Sequence, residues 1–101
     1  MRATFRGRTL ASAPVQETVT IEGNVYFPPH AIAREFLKES DTPYVCPWKG
    51  RSQYFHAVVD DETFHDVAWS YPKPLASAVD TVGRDFAHFV AFSPGVAVTE
   101  A

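Results

Sequence analysis

One cysteine in 101 residues is the first limit the sequence sets. Cys46 has no partner within the chain, so an internal disulfide is impossible and a zinc site built from paired cysteines is excluded for one chain. Any metal would have to rest on histidines and carboxylates. No run of eighteen apolar residues occurs, so no helical membrane span is expected. The opening MRATFRGRTL carries Arg2, Arg6 and Arg8 where a secretory leader needs its apolar stretch, and a soluble cytoplasmic protein is the expectation. Positive charge is also scarce. Nine basic residues face twelve acidic ones, with no basic run of the kind a phosphate backbone demands. Neither nucleic acid nor a membrane is an expected partner. No repeat, low-complexity tract or long linker divides the chain, and a chain of this size buries roughly 65% of its unfolded surface, enough for one core. One domain over residues 1–101 follows.

What is abundant is aromatic. Eight Phe, four Tyr and two Trp must either pack a thick core or line a pocket in so short a chain. Short alternating runs separated by turn residues predict antiparallel β structure. Residues 3–5 and 9–11 flank Arg6-Gly7-Arg8 as a tight hairpin, and 18–21 meets 25–27 across Glu22-Gly23-Asn24 as a second. Pro28-Pro29 ends that strand and presets φ for a helix over 30–37, with Ile32 and Phe36 on one stripe. Residues 44–46 form a short strand. Pro47 then stops ladder pairing, so Trp48-Lys49-Gly50 must leave the sheet.

Residues 52–59 are the longest strand, with Phe55, Ala57 and Val59 on one face and Tyr54, His56 and Val58 on the other. After the turn Asp60-Asp61-Glu62, Val67, Trp69 and Tyr71 share a strand face, and Pro72-Lys73-Pro74 breaks the chain into an extended loop. Residues 75–85 stay open between loop and weak helix. Residues 86–92 alternate again, and Ser93-Pro94-Gly95 turns them into 96–98 as a closing hairpin. The fold class is therefore mainly β: a small single domain of antiparallel sheets with one short helix.

Three blocks carry a resemblance. Glu22-Gly23-Asn24-Val25-Tyr26-Phe27-Pro28, then Cys46-Pro47-Trp48-Lys49-Gly50 followed by Tyr54, then Trp69-Ser70-Tyr71-Pro72, resemble the domain of unknown function 427 family, also filed under a nucleotidyltransferase-like name. The order matches across nearly the whole chain, and Val90-Ala91-Phe92 with Val96-Ala97-Val98 resembles the family's closing hairpin. The resemblance implies a fold similar to the tent-like (β-tent) sheets of methionine sulfoxide reductase B and the drug-binding domain of cereblon, with two facing sheets and a pocket between or beside them. It implies no particular activity. The stretch from Pro74 to Phe92 is longer than usual for the family, and Ser93-Pro94 stands where an aromatic-basic pair is common.

The chemistry concentrates in the middle of the chain. Cys46 lies three residues from Lys49, whose ammonium would favour the thiolate needed for nucleophilic or redox chemistry; a lone cysteine is more often a small buried hydrophobe. Trp48, Trp69 and Tyr71 could box a flat ligand, with hydroxyls from Tyr26 and Tyr54, or the indoles could simply fill the core. Lys49 and Lys73 are the natural partners of an anion. Among His30, His56, His65 and His88 none falls at a metal-ligand spacing, and His56 is the best proton acceptor for Cys46. Nucleotidyl transfer needs carboxylates holding a divalent metal; Asp60, Asp61, Glu62 and Asp66 are the one acidic cluster, placed where a turn is needed and without a Gly-rich phosphate loop. No metal and no cofactor is expected.

Three functions remain in order. The first is binding of an unidentified small polar or aromatic molecule by Tyr26, Trp48, Lys49, Tyr54, Trp69 and Tyr71, with Cys46 and His56 as the catalytic pair if a reaction occurs. The second is a protein-interaction or homodimerisation module working through edge strands and exposed rings. Nucleotidyltransferase-like activity comes third.

Overall fold

The computed structural model describes residues 1–100. Three hairpins are set by two-residue turns in which both residues take positive φ, the geometry whose twist matches the flanking strands. Arg6 and Gly7 (φ 52 and 77) join β1, Arg2–Phe5, to β2, Arg8–Ser12. Glu22 and Gly23 (φ 53 and 81) join β3, Val19–Ile21, to β4, Asn24–Tyr26. Asp60 and Asp61 (φ 51 and 65) join β8, Gln53–Val59, to β9, Glu62–Ser70. Between these lie β5, Leu37–Glu39, and the ribbon of β6, Val45–Cys46, with β7, Gly50–Arg51. The chain closes with α1, Ala76–Val82, β10, Val90–Phe92, and β11, Ala97–Thr99.

Two sheets carry the fold, a three-stranded one in the order β11-β1-β2 and a four-stranded one in the order β10-β9-β8-β5; β3-β4 and β6-β7 are separate ribbons. Every ladder is antiparallel. The larger core joins the two sheets, with Ala3, Leu10 and Ala11 from one and Phe55, Ala57, Ala68, Val90 and Phe92 from the other. The alternation expected along residues 52–59 holds: Phe55, Ala57 and Val59 are buried. A smaller cluster of Ile21, Tyr26, Cys46, Tyr71, Ala78, Phe86, Phe89 and Ala91 gathers beside it, with Trp48 and Trp69 packed on it.

Four local expectations are corrected. Residues 30–37 are not a helix. Two single 3-10 turns, Pro29–Ala31 and Arg34–Phe36, lead into β5, which pairs with β8. The backbone groups a helix would use are taken by tertiary partners: Ala33 N–H donates to the Leu10 carbonyl at 2.8 Å, and Ile32 bridges Ala11. The short helix is α1 instead, within residues 75–85, buried through Ala78 and ended by Gly83 in the left-handed conformation, φ 83.

The closing hairpin does not form either. The free edge of β10 is already used, because Phe27 and Val90 exchange N–H···O bonds at 2.8 and 2.9 Å, so β11 crosses to the other sheet and pairs with β1. Residues 86–89 turn instead of extending, with His88 at φ 64, which sends Phe86 and Phe89 into the smaller cluster. Finally, Val67 does not share a face with Trp69 and Tyr71. Asp66 sits at φ 54 in a bulge where β8 advances two residues while β9 advances four, which turns Val67 into the larger core and leaves Trp69 and Tyr71 at the smaller one.

Candidate functional site

The proline at 47 does what its missing N–H requires. Cys46 pairs with Gly50, and Pro47-Trp48-Lys49 forms the tip of the β6–β7 ribbon, outside every ladder. Gly50 has φ 110, and a Cβ there would lie 3.4 Å from the Lys73 carbonyl oxygen and 3.6 Å from Leu75 Cγ. The Leu75 N–H donates to the Lys49 carbonyl at 3.0 Å. The Pro72-to-Leu75 strap is thereby clamped against the tip.

Lys49 is the unusual residue of this tip. Lysine is almost never buried without a partner, and Lys49 is only 5% exposed. Its Nζ donates to the carboxylate of Glu22, which projects from the β3–β4 turn with its side chain 55% exposed. The same Nζ lies 4.9 Å from the Trp48 ring centroid and 5.3 Å from that of Tyr71, within cation–π range of both. Burial penalises the charged amine, but the Glu22 hydrogen bond and the neighbouring Tyr26, Cys46 and Glu22 outweigh it, so the Lys49 pKa stands above its ordinary value. The Lys49 hydrogen bond holds the Glu22 carboxyl below its ordinary value, against a smaller desolvation cost.

Behind the lysine the rings are locked together. Tyr26, Tyr71 and Phe86 stand 6.3 to 6.5 Å apart, centroid to centroid. Trp69 Nε1 donates to the Tyr26 hydroxyl at 2.9 Å. Desolvation raises the phenol pKa of Tyr26 and, more strongly, of Tyr71; for Tyr26 the Trp69 hydrogen bond and the Lys49 charge partly offset it. Tyr54 extends the row, 6.2 Å from Trp69 and 6.5 Å from Tyr44, and burial raises its pKa as well. Cys46 is buried among these rings at 5% exposure.

The fold therefore unites Tyr26, Cys46, Trp48, Lys49, Trp69 and Tyr71, with Tyr54 at the edge. It does not bring His56 to them. The His56 Nδ1 accepts the Asp66 N–H at 3.1 Å, its ring meets His65 edge-on at 4.7 Å, and Asp66 Oδ1 lies 3.6 Å away. That histidine serves the β9 bulge. Ser40 and Thr42 hydrogen bonds lower the Asp66 pKa, with lesser help from His56 and His65. Asp60 pairs with Arg8 at 2.8 Å on the surface, and no group of three or more His, Cys, Asp or Glu among the described residues could hold a metal ion. No helix among them is long and apolar enough to cross a membrane.

Two features of the site escape a reading of the sequence. Glu22 reads as a turn residue, and nothing in its spacing shows that it will meet a lysine 27 positions on. The aromatic box, moreover, is filled by the chain's own Lys49 ammonium. The open space beside the tip is a cleft of about 400 Å³ lined by Arg51, Ser52, Gln53, Pro72 and Lys73. Of these, only Lys73 was expected as an anion partner.

These features define a small antiparallel β domain with a buried, aromatic-caged lysine at the tip of a proline-broken ribbon. The chain belongs to the family described as Domain of unknown function (DUF427), whose model matches residues 1–99. Comparison with curated proteins gives no match.

Proposed function

We propose that the chain is a binding domain for a small molecule with a flat apolar part and an anionic group, taken at the ribbon tip. The observation that carries this reading is the Lys49 ammonium, nearly excluded from water and held by one carboxylate that is itself half exposed. A buried ion pair adds little stability over apolar packing of the same volume, so stability alone is a poor account of it. Because Lys49 already occupies one face of both Trp48 and Tyr71, a cationic ligand would meet a like charge there. An anion does have a place: it takes over from Glu22 as the partner of Lys49. Trp48 and Trp69, both half-buried, offer exposed ring surface for the flat part, with Tyr54 extending it. Tyr26 and Tyr71 act by holding Trp69 and the lysine in position. Cys46 fits a packing role, and the reading requires no thiol chemistry.

The test is a thermal-shift screen of aromatic carboxylates and phosphates, followed by calorimetry. A true ligand raises the melting temperature by mass action; the shift should vanish in Lys49→Met and grow in Glu22→Gln, each measured against its own unliganded protein. If no anionic compound stabilises the wild type, or if Lys49→Met responds equally, the reading is wrong.

A second reading has its own observation. Tyr44, Val45 and Leu75 are exposed at 45%, 59% and 45%; Val45 lies in the ribbon, Tyr44 immediately precedes it and Leu75 ends the strap against it. An exposed apolar group beside a free ribbon edge suits a protein contact, including a homodimer. Light scattering over a dilution series separates the two: a dimer lost in Val45→Lys favours this second reading. Nucleotidyltransferase-like activity ranks third, and calorimetry with ATP and magnesium tests it.

A further inference from the structure

The cleft beside the ribbon is chemically distinct from the caged lysine. Its walls are the Arg51-to-Gln53 segment, which runs from β7 into β8, and the strap at Pro72 and Lys73. Both walls are fixed. The Ser52 N–H and hydroxyl both donate to the Tyr44 carbonyl, at 2.9 and 3.1 Å, and the Gln53 amide donates to the carbonyls of Ser40 and Tyr54, each at 2.9 Å. Opposite them, Pro72 and Pro74 restrict the strap, and the Leu75-to-Lys49 hydrogen bond ties it down.

The charges of this cleft are one-sided. Arg51 and Lys73 both line it, no carboxylate does, and neither cation enters any ion pair among the described residues. This occurs on a chain whose net charge is −3. By contrast, the guanidinium of Arg6, in a cleft beside the β1–β2 turn, lies over the Phe64 ring at 4.6 Å, and Lys49 is paired with Glu22. A fixed concave surface whose lining residues include one arginine and one lysine matches a small oxyanion, since arginine binds carboxylate and phosphate in two-pronged fashion while lysine supplies a point charge.

We infer that the Arg51–Lys73 cleft is a binding site for a small oxyanion, a carboxylate or a phosphate group. It is separate from the Lys49 cage and does not depend on the function proposed for that cage. The two oxyanion chemistries are distinguished by titrating with inorganic phosphate in one arm and malonate in the other.

The experiment follows backbone amide shifts of the full chain during each titration at low ionic strength, where exposed charges are least screened. In at least one arm, saturable shifts should concentrate at Arg51, Ser52, Gln53 and Lys73. Arg51→Gln combined with Lys73→Gln should weaken binding about tenfold or more. Both side chains are exposed, so this variant keeps the fold, and a charge-matched control, Lys38→Gln with Arg84→Gln, should bind like the wild type. Lys49→Met should also leave these shifts in place, so failure of the cage reading and failure of the cleft are told apart. Shifts spread evenly over all surface cations, or equal binding by the Arg51/Lys73 variant, would overturn the inference.

Discussion

Removing one member of the Lys49–Glu22 pair should cost more than removing the other, and the structure fixes which. Glu22→Gln leaves the ammonium in place with only 6% of the Lys49 side chain exposed and no carboxylate to meet it. Stranding a fully buried charge costs about 3–5 kcal/mol. Glu22 is 55% exposed, so water takes over part of its role, which reduces the cost to about 1–2 kcal/mol. Lys49→Met removes the charge that needs solvation and keeps an unbranched stem against the same rings. It forfeits cation–π attraction of about 0.5–2 kcal/mol and recovers thioether–ring contact of about 0.3–1.5 kcal/mol, so it should fall within about 1 kcal/mol of the wild type. The double variant should stay close to Lys49→Met, because the lysine is the main partner of Glu22, with Trp48 a lesser one, giving a coupling energy of about 1–2 kcal/mol. Urea unfolding reports these differences as shifts in midpoint at constant slope, and each kcal/mol moves the melting temperature by about 4–8 °C at this chain length. If Lys49→Met proves more damaging than Glu22→Gln, or if the double variant adds the two single costs, the pair is not the buried charge and exposed counter-charge described above.

The other predictions concern pH, the thiol and the strap. The lowered pKa values of Glu22 and Asp66 give stability that is complete above their unfolded values of 4.5 and 3.8 and is lost as pH falls through the folded ones; the raised values of Lys49, Tyr26, Tyr54 and Tyr71 give stability complete below about 10 and lost as pH rises further. Urea midpoints across pH should therefore form a plateau with two falling limbs, and Lys49→Met should shrink both while leaving the tyrosine part of the alkaline limb; an unchanged profile refutes the assignment. Cys46, buried at 5% exposure, should react with a thiol-specific disulfide reagent far more slowly than the urea-unfolded chain does, and a folded-state rate that matches or exceeds the unfolded one would restore a reactive role. Gly50→Ala, forced to φ 110 with its Cβ 3.4 Å from the Lys73 carbonyl, should destabilise by about 1–3 kcal/mol and loosen the strap, read as faster amide exchange at Leu75; a neutral result would mean that the clamp is slack.

Most strands, and the residues of the cluster, were legible in the sequence because their causes are local. Alternation placed Phe55, Ala57 and Val59 inward, Gly7 and Gly23 supplied the turns, and Pro47 forced Trp48 and Lys49 out of the ladder. These effects act within a few residues of their source, so a linear reading can find them. Tertiary structure decided whatever depended on a distant backbone partner. Ile32 and Ala33 gave up helical bonding for Ala11 and Leu10, and Phe27 took the edge of β10 and sent the last strand to β1. A bulge at Asp66 turned Val67 away from Trp69 and drew His56 into its own support. The decisive charge, Glu22 against Lys49, joins two turns that share no periodicity and no motif. Hydrogen bonds and ion pairs across long separations depend on how whole elements dock, and that geometry exists only once the sheets have closed around their core.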